Sequence, residues 1–315
     1  MSGSATAVVV LDPQTTLALA AASLAAYDDW RTPDRFTPPA NYRLAGRFTG
    51  WSSLGEERFG LVFVGSLRTN NTRYIVAFRG TDSLGDIFDD AEWGKTNFVP
   101  YRNSISPDPE VHSGFYAVYS RRPIASGRPM RQQVFELLPP SSTEVLVTGH
   151  SLGAALAQLF VLDYRVSLQR GNVRSINFAS PRVGGRNWQL AFDASGAAAV
   201  TVRVINFWDY VPEYPPVSAG YGSVGAEFLT AFAGPWWSTP IDELPRHSLA
   251  NLNYVLNSCV WLSPQIWVGS FLDKYYGCYD MSSTKPPAAA KDTLVTKIEE
   301  WKQAEKSVVT RTEEA

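Results

Sequence analysis

Apolar residues along this chain gather in short runs separated by helix-length stretches of mixed character. Five runs are rich in β-branched and aliphatic residues: LVFVGSL (61–67), RYIVAFRG (73–80), EVLVTG (144–149), VRSINFA (173–179) and VTVRVINF (200–207). Several are apolar almost throughout, the pattern of strands covered on both faces. Helix-like stretches alternate with them: one or two in 113–138, a long one in 151–170 and a shorter one in 186–195. From residue 144 onward this alternation predicts right-handed βαβ units, hence an α/β protein with a mostly parallel central sheet covered by helices. Ahead of it, TTLALAAASLAAYDDW (15–30) predicts an alanine-rich helix packed on the domain. It is too short to span a bilayer.

Three regions break the rhythm. Residues 82–110 form a long irregular connection with a short amphipathic piece. Residues 213–246 are rich in glycine, proline and aromatics, including Phe228, Phe232, Trp236 and Trp237. Long connections within a compact domain are usually functional or disordered, and these two carry too many aromatics for disorder. The third region, 282–315, opens as the linker-like SSTKPPAAA and continues as a charged helix around KIEEWKQAEK. The expected organisation is one domain over 1–281 followed by this peripheral tail. The uncharged stretch from Val255 to Leu272 invites a membrane-span reading, but Asn257, Ser258, Ser263, Pro264, Gln265 and Gly269 interrupt it. Core packing is the better expectation, with no integral span.

Composition narrows the field. The 315 residues are 45% hydrophobic and 18% charged, with a formal net charge of -2. That near-neutral balance lacks the basic stripe of a nucleic-acid binder. Two cysteines, Cys259 and Cys278, make no disulfide framework, and no CxxC or Cys/His cluster suggests a metal. No cofactor is implied. The first residues, MSGSATAVVVLDP, lack the basic segment and cleavage site of a secretory signal. The expectation is an intracellular protein, export without a cleaved leader, or the mature form of a secreted one.

The chemistry concentrates at GHSLG (149–153). This segment follows the predicted strand EVLV and leads into the helix AALAQLFVLDY, so Ser151 falls on a tight strand-turn-helix corner that can present a nucleophile. Gly149 and Gly153 let strand and helix approach closely, and Ala154 and Ala155 keep the helix slim. The helix N-terminus then directs its dipole and free N–H groups at an oxyanion formed on Ser151. A serine hydroxyl needs a base. The chain has three histidines: His150 leaves the corner in another direction, His112 lies upstream, and His247 follows. Proteins with this corner order Ser, acid, His along the chain, which selects His247. Asp209, where the run VTVRVINFW gives way to a loop, is the preferred acid to orient it, with Asp242 a distant second. Thr81, at the end of RYIVAFRGTD, and the N–H of Leu152 are the expected oxyanion donors.

These residues resemble the class 3 lipases of the filamentous-fungus type. The likeness lies in AFRGT (77–81), HSGF (112–115), GHSLGAAL (149–156), FASPRVG (178–184), NFWDYVPEYPP (206–216) and HSLANLNY (247–254). It covers about 15–260 in family order and is far more specific than GxSxG. The resemblance implies an α/β-hydrolase fold, a Ser151–Asp209–His247 triad, and an oxyanion hole at Thr81 and Leu152. It also maps a lid onto about 83–98. Leu84, Ile87, Phe88, Trp93 and Phe98 would then contact lipid or cover the site, with Trp236 and Trp237 of the 213–246 insertion beside them. The lid segment is unusually acidic (Asp86, Asp89, Asp90, Glu92) and the insertion is long, so both depart from the fungal pattern.

The expected reaction is hydrolysis of acylglycerols or related acyl esters through an acyl-enzyme, at a lipid–water interface. A phospholipase A1 or a feruloyl-type esterase would use the same machinery. A catalytically silent lipid-binding relative would normally lack a triad member, and here all three are present.

Overall fold

The computed structural model describes residues 10–52, 55–66, 72–81, 94–122, 127–140, 142–206, 209–230, 244–262 and 267–268. Among them, seven strands form the central sheet: β1 (Tyr42–Ser52), β2 (Gly55–Ser66), β3 (Thr72–Phe78), β4 (Glu144–Gly149), β5 (Val173–Phe178), β6 (Thr201–Asn206) and β7 (Ala226–Thr230). They lie side by side in chain order. β1 to β3 form an antiparallel meander, and β3 to β7 run parallel. This is the α/β-hydrolase fold, with a mostly parallel central sheet flanked by helices.

That strand order decides the layering. Right-handed crossovers between successive neighbours put their helices on one face of the sheet. Those helices are α2 (Ser113–Ser120), α3 (Met130–Leu137), α4 (Leu152–Leu168) and α5 (Arg186–Ala194). Their core gathers Phe78, Val147, Leu156, Phe160 and Trp188. The other face would stay bare without helices from the two ends of the described chain. It is covered by α1 (Pro13–Arg31) and, after the one-turn helix α6 (Leu244–His247), by α7 (Leu249–Leu262), over Leu61, Phe63, Ile75 and Leu146.

α1 starts sharply because Asp12 caps it, accepting the Thr15 N–H at 2.8 Å, with Pro13 at the first helical position. Its buried Ala20, Ala22, Ala25 and Ala26 let it lie close on the sheet. There the Ser23 and Thr148 hydroxyls meet at 3.0 Å. In α7, Val255 and Leu256 are buried, so this part of the uncharged 255–272 stretch is core. Among the described residues no helix is long and apolar enough to cross a membrane.

Four features differ from the sequence reading. β1 was not anticipated, and neither was β7, which lies inside the segment read as an aromatic insertion and buries Phe228 in the core. The connection read as irregular contains a ribbon, Lys95–Asn97 against Glu110–His112. Phe98, expected at the lid, is instead a core residue. It packs edge-on to Trp188 with ring centres 5.6 Å apart, because the ribbon turns its successor inward.

Candidate active site

β4 runs from Glu144 to Gly149 and α4 begins at Leu152, so two residues turn the chain from sheet to helix. Ser151 takes φ 58° and ψ -127°, a conformation costing about 1–3 kcal/mol in a residue with a Cβ. The surroundings enforce it. Ser151 N–H donates to the Phe178 carbonyl of β5 at 3.1 Å, and the Ser151 carbonyl accepts from Ala154 N–H at 2.9 Å. A Cβ on Gly149 would run into the Gly153 backbone, and one on Gly153 into the Phe78 and Arg79 backbone. Both glycines are therefore fixed by close contact among β3, β4 and α4.

The candidate acid and base come from two later segments. Asp209 follows β6 and His247 ends a helical turn, Leu244–His247. His247 Nδ1 lies 2.8 Å from Asp209 Oδ2. An ionised carboxylate only accepts, so Nδ1–H donates and Nε2 carries the free lone pair. Asp209 Oδ1 accepts the Val211 N–H at 3.0 Å, which fixes the carboxylate plane. Ser151, Asp209 and His247 are all buried. Among the described residues, Ser151 Oγ and His247 Nε2 are buried without a hydrogen-bond partner. Leaving such an atom unpaired costs about 1–3 kcal/mol.

The loop after β3 packs against this corner. A Cβ on Gly80 would collide with the Tyr27 hydroxyl and the His150 carbonyl and press on Ser151 Cβ. Thr81 is therefore one residue from direct contact with the serine corner. Arg79 anchors the loop from behind. Its guanidinium lies between the Trp30 and Phe59 rings, 4.3 and 4.5 Å from their centres, and donates to the Arg58 carbonyl at 3.0 Å. Leu152, as the first residue of α4, has an N–H with no acceptor inside the helix.

Sequence reasoning missed three supporting residues. Arg182 holds the loop beyond Asp209, donating to the Glu213 and Pro215 carbonyls and pairing with the Glu213 carboxylate. Tyr27 and His150 form a buried hydrogen bond of 2.9 Å beside the base. Arg182 falls within the FASPRVG run, a signal that could have found it; nothing local marks Tyr27. Leu84, Ile87, Phe88, Trp93, Trp236, Trp237 and Asp242 lie outside the described residues. Among the described residues no group of three or more His, Cys, Asp or Glu side chains could hold a metal ion.

A buried serine on a strained corner, beside an Asp–His pair, is the arrangement of a serine hydrolase. Residues 75–219 match the family model "Lipase (class 3)". Phospholipase A1-II 1 of Oryza sativa is 31% identical over 195 residues, covering 56% of this chain and 47% of that one. Lipase A of Sodiomyces alcalophilus is 32% identical over 180 residues, covering 49% and 42%. The chain thus spans about half the length of the curated relatives it matches. Among solved structures, lipase II from Rhizopus niveus superposes with a TM-score of 0.55 at 23% identity, covering 70% of this chain and 83% of that one.

Proposed function

We propose that this protein is a serine carboxylic-ester hydrolase that cleaves acylglycerols or related acyl esters through an acyl-enzyme on Ser151. The observation that carries this reading is the pair of buried, unpartnered atoms, Ser151 Oγ and His247 Nε2, with Asp209 fixing the tautomer that leaves Nε2 basic.

In this reading His247 Nε2 takes the Ser151 hydroxyl proton as Oγ attacks the ester carbonyl. The Leu152 N–H and Thr81 donate to the oxyanion, aided by the positive end of α4. Collapse of the tetrahedral adduct breaks the bond to the alkoxy oxygen, and His247 returns the proton to the departing alcohol. Water, deprotonated by His247, then attacks the acyl-enzyme and releases the acid. Asp209 stays ionised throughout and stabilises the imidazolium. No metal or cofactor enters these steps.

Phospholipase A1 activity is a second reading, favoured by the Oryza sativa relative bearing that name. One panel tests both: release of fatty acid from triacylglycerol, phosphatidylcholine and p-nitrophenyl esters by the native protein and by Ser151→Ala. Ester hydrolysis that disappears with Ser151→Ala is expected, and the preferred head group decides between the readings. No hydrolysis across the panel, or activity unchanged by the substitution, would reject ester chemistry at this serine.

A further inference from the structure

Beside the base sits a buried histidine that the reaction above does not use. His150 immediately precedes the serine, and its ring centre is 4.5 Å from that of His247. Its Nε2 lies 2.7 Å from the His247 carbonyl. A carbonyl can only accept, so Nε2 carries the proton and donates. Nδ1 is then the acceptor, and the Tyr27 hydroxyl, at 2.9 Å, donates to it. In a neutral ring the two contacts leave one tautomer.

His247 lies at a break in the chain's helical structure. The turn Leu244–His247 ends there and α7 begins at Leu249, where the Ser248 carbonyl accepts the Leu252 N–H. The His247 carbonyl can therefore turn toward the serine corner. One residue earlier, the Arg246 carbonyl accepts from Asn206 Nδ2 at 3.1 Å. The main chain carrying the base is thus tied to the end of β6 by Asn206 and to the serine corner by His150. Asp209 ties the ring itself.

We propose that His150 is a positioning residue for the base. Its Nε2–H holds the His247 main chain at the serine corner, and Tyr27 keeps His150 in the donating tautomer. The inference rests on the ester-hydrolase reading. Nε2–H can donate in either protonation state, but a protonated ring would lose Tyr27's donation and set a cation against the imidazolium that forms on His247 during acyl transfer. Burial, followed by the proximity of His247, holds the His150 pKa well below its ordinary range. Tyr27 also packs against Gly80, so α1 supports the oxyanion loop and the base at once.

Side-chain length provides the test. A glutamine amide nitrogen reaches about where histidine Nε2 sits, whereas asparagine reaches only the Nδ1 position. On a soluble p-nitrophenyl ester, His150→Asn should lose roughly tenfold to hundredfold in kcat with KM unchanged. His150→Gln should recover most of that loss. The downfield proton resonance of the His247–Asp209 bond should shift or broaden in the asparagine variant and return in the glutamine variant. Tyr27→Phe deletes one oxygen and keeps the test open if a His150 variant fails to fold; its kcat should fall about fivefold. Equal effects of asparagine and glutamine, a loss confined to KM, native kcat in Tyr27→Phe, or an unmoved resonance would overturn the tether. A native protein that hydrolyses no ester would reject the hydrolase reading by itself, while the resonance still decides the tether.

Discussion

The serine corner, its acid and its base could be nominated residue by residue because each is marked by local pattern. Ser151 is framed by Gly149 and Gly153, Asp209 sits at a strand end, and His247 is the histidine downstream of both. Tyr27 and His150 were not legible, since their meeting joins positions 123 residues apart and depends on how α1 lies across the sheet. Asp209 accepts from both His247 Nδ1 and Val211 N–H, so Asp209→Asn should cost on the order of 10⁴ in kcat, and Asp242→Asn little. Steady-state kinetics on a soluble ester checks the pair, and the opposite ranking would move the role to Asp242. His150 also makes a pH prediction. Its pKa is depressed in the folded protein, where Tyr27 and His247 face it and Asp209 lies behind His247. The folded state therefore binds fewer protons there than the unfolded chain. This contribution is present above the unfolded pKa of about 6.5 and is lost as pH falls below it. Urea unfolding between about pH 5 and pH 7.5 should show native stability falling faster than that of His150→Gln, by up to about 1.4 kcal/mol per pH unit. Parallel curves would mean that His150 titrates as in the unfolded chain.

Among the elements, the runs that read as strands were those buried on both faces, because their uninterrupted apolar character needs no partner to be recognised. β1 and β7 escaped for the opposite reason. β1, at one edge, alternates polar and apolar residues and includes three arginine or threonine positions, Arg43, Arg47 and Thr49. β7 offers five residues, AEFLT, embedded among glycines and aromatics. The packing of α4 on the sheet is tighter than any helix pattern reveals, since the Gly153 Cα faces the backbone of Phe78 and Arg79. Gly153→Ala should push α4 off β3 and damage both folding and turnover, by the 1–3 kcal/mol typical of overpacking (an order-of-magnitude figure). Thermal unfolding and ester turnover measured together check this. An unchanged melting temperature with full activity would show that the contact gives way freely. Ala22→Leu, on the buried side of α1, should destabilise by a similar order without altering the fold.

At the scale of the molecule, the layering follows from strand order. Sequential parallel neighbours place α2 to α5 on one face, so the opposite face depends on α1 and α7, far apart in sequence. The site lies where the two layers meet. α4 carries the serine corner on one side of the sheet, while α1 and the turn before α7 bring Tyr27 and His247 from the other. The class of fold was readable from the alternation of runs, but this convergence was not, because periodicity reports a face and not its partner. Phe98 shows the same limit: an apolar residue after a long connection reads equally well as lid or as core. The central claim, that this convergence makes Ser151 a nucleophile, is tested most directly by fluorophosphonate labelling followed by peptide mass mapping. The account predicts a single adduct on Ser151, absent from Ser151→Ala and strongly slowed in His247→Ala. An adduct on another serine, or labelling that persists in Ser151→Ala, would contradict it.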